Sequence, residues 1–221
     1  MKTFSSTLLL LTLSASLACG QELSATEINN LLAGIRARRT ADPGMQADFH
    51  ERKQIQLMTK PIETSGKVWF EAPNKFRREV KGNAPSLTVS NGTHLWIYYP
   101  NFKSAEQYKL GKHSPVDAAV AAINAALNVD DVEHNFRMTG SKTDKGYALT
   151  LIPRSPSTKR MFEKFDLLLN SDLLAERVEM FQPNGDRVVT NYTNQSRGQI
   201  PNSIFEFRPP QGTAVTTPLS R

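Results

Sequence analysis

Residues 65–100, SGKVWFEAPNKFRREVKGNAPSLTVSNGTHLWIYYP, allow little besides antiparallel sheet. Three runs rich in β-branched and aromatic residues lie here, each long enough for a strand and too short for a helix. Asn91-Gly92 separates the last two. That dipeptide tolerates the positive φ angles of a tight hairpin turn, and a hairpin makes its strands antiparallel neighbours. Bulky residues load both faces, as in Val68-Trp69-Phe70 and Leu95-Trp96-Ile97. One face should therefore line an interior and the other be covered or partly solvated. Alternation alone leaves open which face carries the tryptophans.

The same rhythm recurs along the chain. Residues 45–57 set Met45, Ala47, Phe49, Ile55 and Leu57 against Gln46, Asp48, His50, Gln54 and Gln56, which predicts one long half-buried strand. Residues 104–110 give a weaker one. From Phe136 onward strand follows strand: 136–138, 147–152, 161–169, 173–181 and 187–192, with turns at Asp144-Lys145-Gly146, Asn170-Ser171-Asp172 and Pro183-Asn184-Gly185-Asp186. A helical turn at 201–203 leads to a short strand at 204–207. Pro209-Pro210-Gln211-Gly212 is then expected to end regular structure, leaving a loose tail. Consecutive hairpins with few helices predict an α+β, mainly β, fold: an antiparallel sheet with helices on one face. About ten strands is many for an open sheet, so it should curl into an incomplete barrel.

Three helices are predicted. In residues 24–39, Ser24 and Glu27 form a capping box, and Ile28, Leu31, Leu32 and Ile35 make one apolar stripe. Arginines crowd the last turn, where the helix dipole favours positive charge, and Ala41-Asp42-Pro43-Gly44 stops it. The second helix starts at Ser114-Pro115-Val116-Asp117 and carries Val116, Ala119, Val120, Ile123 and Leu127 on its stripe. It is alanine-rich and so can lie close to whatever it covers. A short third turn is expected at 130–133.

Residues 1–20 read as a signal peptide: Lys2, an apolar run at 8–13 and small residues at 14–20, with cleavage near Gly20. The apolar run is too short to span a bilayer. Residues 21–221 then form a single domain. Cys19 is the only cysteine, so the cleaved chain has no disulfide, thiol nucleophile or thiolate ligand. The alternative is lipidation of Cys19, which would make a membrane-anchored receptor or lipid-sensing protein on the same fold. Ser16-Leu17-Ala18-Cys19 is a poor lipobox, because leucine usually stands three before the cysteine.

The formal charge is +6 and the basic residues are dispersed. A solvated face, or attraction to anionic lipid or an acidic partner, explains them better than nucleic acid does in an exported chain. Catalysis needs convergent polar groups, and none is legible. The four histidines, His50, His94, His113 and His134, fall in different elements without ligand spacing. No nucleophile–base, phosphate-loop or dinucleotide motif occurs. Asp130, Asp131 and Glu133 are ordinary acids for a helix start. No enzyme activity, metal or cofactor is implied, and the chain is read as a monomer.

In order and spacing, several motifs resemble the periplasmic outer-membrane lipoprotein carrier family, LolA. They are the first helix, Ala47-Asp48-Phe49, Gly66-Lys67-Val68-Trp69, Pro73-Asn74-Lys75-Phe76, Leu87-Thr88-Val89-Ser90-Asn91-Gly92, Leu95-Trp96-Ile97-Tyr98-Tyr99-Pro100 and Phe205-Glu206-Phe207-Arg208-Pro209-Pro210-Gln211-Gly212. Residues 103–158 match only in pattern. The resemblance implies an incomplete barrel with helices as a lid over an apolar cavity. It implies binding of lipoprotein acyl chains there, received from an inner-membrane ABC transporter and passed to an outer-membrane receptor. On this reading Phe49, Trp69, Phe76, Trp96, Tyr98, Val120, Ile123 and Leu127 line the cavity, and Ile28, Leu31, Leu32 and Ile35 form the apolar face of a lid helix. Phe76 matches the family's uptake-controlling phenylalanine. The family's lid-latching arginine stands just before the Pro-Asn-x-Phe proline; here that position is Ala72.

Overall fold

A computed structural model describes residues 21–110 and 129–218. The expected signal peptide, Cys19 and the helix expected at 116–127 lie outside them. The chain begins with α1 (Ala25–Ala41), then β1 (Gly44–Gln54), β2 (Ile62–Glu71), β3 (Lys75–Lys81), β4 (Ser86–Asn91), β5 (His94–Tyr99) and β6 (Ser104–Lys109). Next come α2 (Val129–Asn135), β7 (Phe136–Thr143), β8 (Gly146–Pro153), the single turn α3 (Pro156–Lys159), β9 (Lys164–Asn170), β10 (Ala175–Phe181), β11 (Arg187–Gly198) and β12 (Ala214–Thr216).

The twelve described strands form one sheet in the order β12-β6-β5-β4-β3-β2-β1-β11-β10-β9-β8-β7. It is two hairpin meanders, β1–β6 and β7–β11, joined by antiparallel pairing of β1 with β11. Among the described residues its ends do not meet, so the barrel stays incomplete. The β7 end is nevertheless covered, which suppresses edge-to-edge association there. Residues before α1 run along β7, with Leu23 N–H donating to Gly140 O at 2.8 Å and Lys142 N–H to Gln21 O at 2.9 Å. At the other end the three-residue β12 pairs in parallel with the edge of β6 and is itself the last strand. The tail beyond Gly212 is thus not loose as expected: a strand edge was left to be paired there.

Turn chemistry works as the residues dictate. Gly92 has φ of 91°, and the Asn91 carboxamide oxygen accepts from the N–H groups of Thr93 and His94, closing the β4–β5 hairpin. Gly66 has a different task. It faces Phe49 across the β1–β2 ladder, and a Cβ there would collide with the Glu79 carbonyl of β3 and press on the Phe49 ring. Glycine lets the strands approach closely here, and the phenylalanine ring fills the space above it.

Two apolar cores sit on the concave face. In one, Leu31, Leu32 and Ile35 of α1 pack with Val132 of α2 and with Phe136, Leu149, Leu151, Phe165, Leu167 and Leu169 of β7–β9. Ile28 packs at its margin. The Arg36–Glu133 ion pair, 2.7 Å, ties α1 to α2. The other core gathers Phe49, Val68, Phe70, Phe76, Val80 and Leu95 from β1–β5.

The convex face has its own cover, which the sequence reading did not foresee. Residues 204–207 are not a strand: a 3-10 turn, Asn202–Phe205, buries Phe205 to 2% exposure. Arg77 donates to Ile204 O at 3.1 Å and Lys75 to Asn202 Oδ1 at 2.8 Å, fixing this segment on β3. β1 also departs from expectation, ending at Gln54 and leaving Leu57 95% exposed. Its neighbours run out there: the last rungs are Lys53 with Ile62 and Gln54 with Arg187.

Three outcomes follow for stability. Gly66→Ala is expected to lower unfolding free energy by about 2–3 kcal/mol, because backbone must move to admit the methyl group; urea denaturation measures it. Ser24→Ala is expected to cost about 1 kcal/mol by removing the N-cap of α1. The Ser24 hydroxyl and then its backbone N–H hold the Glu27 carboxyl below the usual glutamate value. Since the folded-state value is depressed, the gain from Glu27 exists at neutral pH and fades as pH falls through it. The stability gap between wild type and Glu27→Gln should therefore close on acidification.

Candidate functional site

Strand alternation decides what faces the concave side. In β1 that set includes Phe49, Glu51 and Lys53; in β2, Val68 and Phe70; in β3, Phe76 and Arg78. Across the seam it is Val188, Thr190 and Tyr192 of β11 and Val178 and Met180 of β10. With Thr88, Phe162 and Phe165 they line a half-open cavity of about 360 Å³ between the two apolar cores. Its apolar wall is mainly phenylalanine and valine, and its size falls within the 300–1,000 Å³ usual for small-molecule sites, an order-of-magnitude range. Residues of this kind shed water readily, so the space suits a hydrocarbon ligand.

One strip of wall is polar. Arg78 Nη2 lies 2.9 Å from Glu51 Oε2, and the guanidinium rests 4.2 Å from the centre of the Phe49 ring. Thr190 donates to Glu51 Oε2 at 3.3 Å. Beside this pair, burial pushes the Tyr192 phenol up to about 12, with the Arg78 charge opposing and Glu51 adding to the rise. The tyrosine is thus a neutral hydroxyl at any physiological pH.

Of the residues expected to line the cavity, Phe49 and Phe76 do. Trp69, Trp96 and Tyr98 stand on the opposite face. Trp96 and Tyr98 pack on Phe207, at ring-centre distances of 5.7 and 5.4 Å. Trp69 donates from Nε1 to Gln46 Oε1 at 3.0 Å in a groove beside Ile200, Pro201 and Ile204. The cause is register: Val68, Phe70, Leu95 and Ile97 take the inner positions, so the residues between them point outward, where the C-terminal segment shields them. Val120, Ile123 and Leu127 lie outside the described residues. Leu31, Leu32 and Ile35 are buried on the β7–β9 core next to the cavity, not in its wall.

Ala72 lines a small space of about 50 Å³ at the C-terminal end of α1, together with Ile35, Arg39 and Arg197. Arg77 is turned outward and Arg78 into the cavity, so neither reaches this place. The basic residue that the fold brings beside Ala72 from a distant strand is Arg197. Its guanidinium is pushed down from its ordinary value by burial and by the nearby Arg38.

Sequence reasoning missed Glu51, Arg78, Tyr192, Phe162, Phe165, Val178 and Met180. Counting by twos from Phe49 and Phe76 would have placed Glu51 and Arg78 on the wall. Nothing local reports that β10 and β11 close the other side.

Residues 43–208 match the family described as outer membrane lipoprotein carrier protein LolA. An outer-membrane lipoprotein carrier protein of Chromohalobacter salexigens is 29% identical over 157 residues, 69% of this chain and 70% of that protein. One from Dechloromonas aromatica is 27% identical over 174 residues, 77% of this chain and 80% of the relative. The fold is shared with a conserved protein of Thermus thermophilus at a TM-score of 0.52 and 14% identity, covering 86% of this chain and 98% of that one. With most of its described strands inside the matched segment, the chain belongs to the LolA outer membrane lipoprotein carrier family.

Proposed function

We propose that this protein is a periplasmic carrier that shelters the acyl chains of lipoproteins in the concave cavity. It takes them from an inner-membrane ABC transporter, carries them through water and yields them to an outer-membrane receptor. The observation that supports this most is a phenylalanine-rich cavity on the curled sheet of a chain whose family is one of carriers. Phe49 and Phe76, together with Phe162 and Phe165 opposite, are the proposed ligand contacts, and α1 is proposed as part of the lid.

The energetics suit carriage. An acyl chain in water costs about 0.8 kcal/mol per exposed methylene, so even partial enclosure gives useful affinity. Release requires that the enclosure be undone without unfolding the sheet. α1 rests on the β7–β9 core, which shares Phe162 and Phe165 with the cavity wall, and its movement away from that core, with the ladder intact, is the proposed route of release. The ion pair of Arg36 with Glu133 and the looser contact of Arg38 with Asp172, 3.7 Å, are both half-exposed and individually weak. No helix among the described residues is long and apolar enough to cross a membrane.

Val188 lies on the wall and outside both buried cores. Val188→Trp is therefore expected to fill the cavity and weaken binding of a fluorescent acyl probe at least about tenfold, with little change in thermal unfolding. Native mass spectrometry of protein purified from an exported fraction should find co-purifying lipid or lipoprotein in wild type and less in this variant. Undiminished binding by the variant would place the acyl site elsewhere.

A further inference from the structure

The polar strip on the cavity wall is not what a plain hydrocarbon container requires. A buried ion pair is commonly no more stabilising than apolar residues of the same volume, and a neighbouring leucine pair would line this space equally well. Arg78 is three-quarters buried. Its Nη2 lies near Glu51 but out of line with it, and among the described residues no aligned acceptor reaches that buried nitrogen. Glu51 is meanwhile engaged by the Thr190 hydroxyl and, at 3.5 Å, by that of Thr64. The wall holds two cations, Lys53 and Arg78, against one carboxylate, Glu51, so one positive charge is left over. The Phe49 ring beneath the guanidinium fixes its plane.

Resting on the acyl-cavity reading above, we propose that Arg78 is the recognition point for an oxygen-bearing head on the ligand. The head is the carboxylate or ester carbonyl of an acyl group, and its chain lies along Phe49, Phe76 and Phe165. Guanidinium presents paired donors in a rigid fork that matches such oxygens, and an ionised acceptor gives the stronger bond. The surplus positive charge favours the carboxylate. Glu51 does not saturate that nitrogen, but its charge attracts the same guanidinium and so limits how tightly an anionic head is gripped.

The test uses the full chain and the neutral apolar probe N-phenyl-1-naphthylamine, displaced by laurate, methyl laurate or dodecyltrimethylammonium below their micelle concentrations. Wild type is expected to prefer laurate over the cationic amphiphile by about tenfold or more. Arg78→Met should abolish that preference while the probe still binds. Glu51→Gln should strengthen laurate displacement severalfold. If Arg78→Met weakens laurate alone, the head is a free carboxylate; if methyl laurate weakens equally, it is the ester carbonyl. A wild type that binds the probe without head-group preference, or a preference that survives Arg78→Met, overturns this proposal and leaves the carrier reading standing. Failure of wild type to bind the probe overturns both. Should Arg78→Met not fold, Glu51→Gln decides, with unchanged laurate affinity counting against the proposal.

Discussion

The pairing of β1 with β11 is the contact on which the rest depends. It joins residues about 140 positions apart and is the only described rung ladder between the two meanders. Three of its successive inward pairs are Phe49 with Tyr192, Glu51 with Thr190 and Lys53 with Val188. All six of these residues line the cavity. The seam that makes one sheet out of two meanders is thus also the floor of the site. Closing so long a loop costs entropy that only extensive non-local pairing can offset.

Curvature follows from that seam and from side-chain size. Gly66 removes the one Cβ that would keep β1, β2 and β3 apart, and Phe49 occupies the space released. Inner residues of β1–β4 and of β9–β11 both reach the cavity. The two cores fill the ends of the trough, one under α1 and one among β1–β5, and the middle remains open. A void between well-packed cores costs stability, which a carrier recovers when ligand is bound.

The sheet is covered on both sides, and this resolves the puzzle of its doubly apolar strands. Val89, 1% exposed, and Phe205, 2% exposed, belong to a convex layer completed by Trp96, Tyr98 and Phe207. Arg77 and Lys75 clamp the C-terminal turn that supplies this layer. The motifs with the most distinctive residues, those containing the tryptophans, therefore report on the scaffold. Smaller or more ordinary residues at the intervening positions, Val68, Arg78 and Thr88, report on the site.

The amino-acid sequence by itself determined most of the elements, because strand alternation, the Asn91-Gly92 turn and the Ser24–Glu27 cap are local physics; the full extent of the Asn202–Phe205 turn and β12 were not among them. It also determined the antiparallel connectivity, the curl and the family motifs, while Phe49 and Phe76 are expected at the cavity only through the family resemblance. Only the tertiary structure decided which strand face is the inner one. A period of two is symmetric between faces, and the choice rests on which cover, α1 with α2 or the segment around Phe205, meets each side. The same holds for the far wall from β9 to β11, for the placing of Arg197 beside Ala72 and for the end of β1 at Gln54. Each depends on partners far away in the chain, and no window of neighbouring residues contains them.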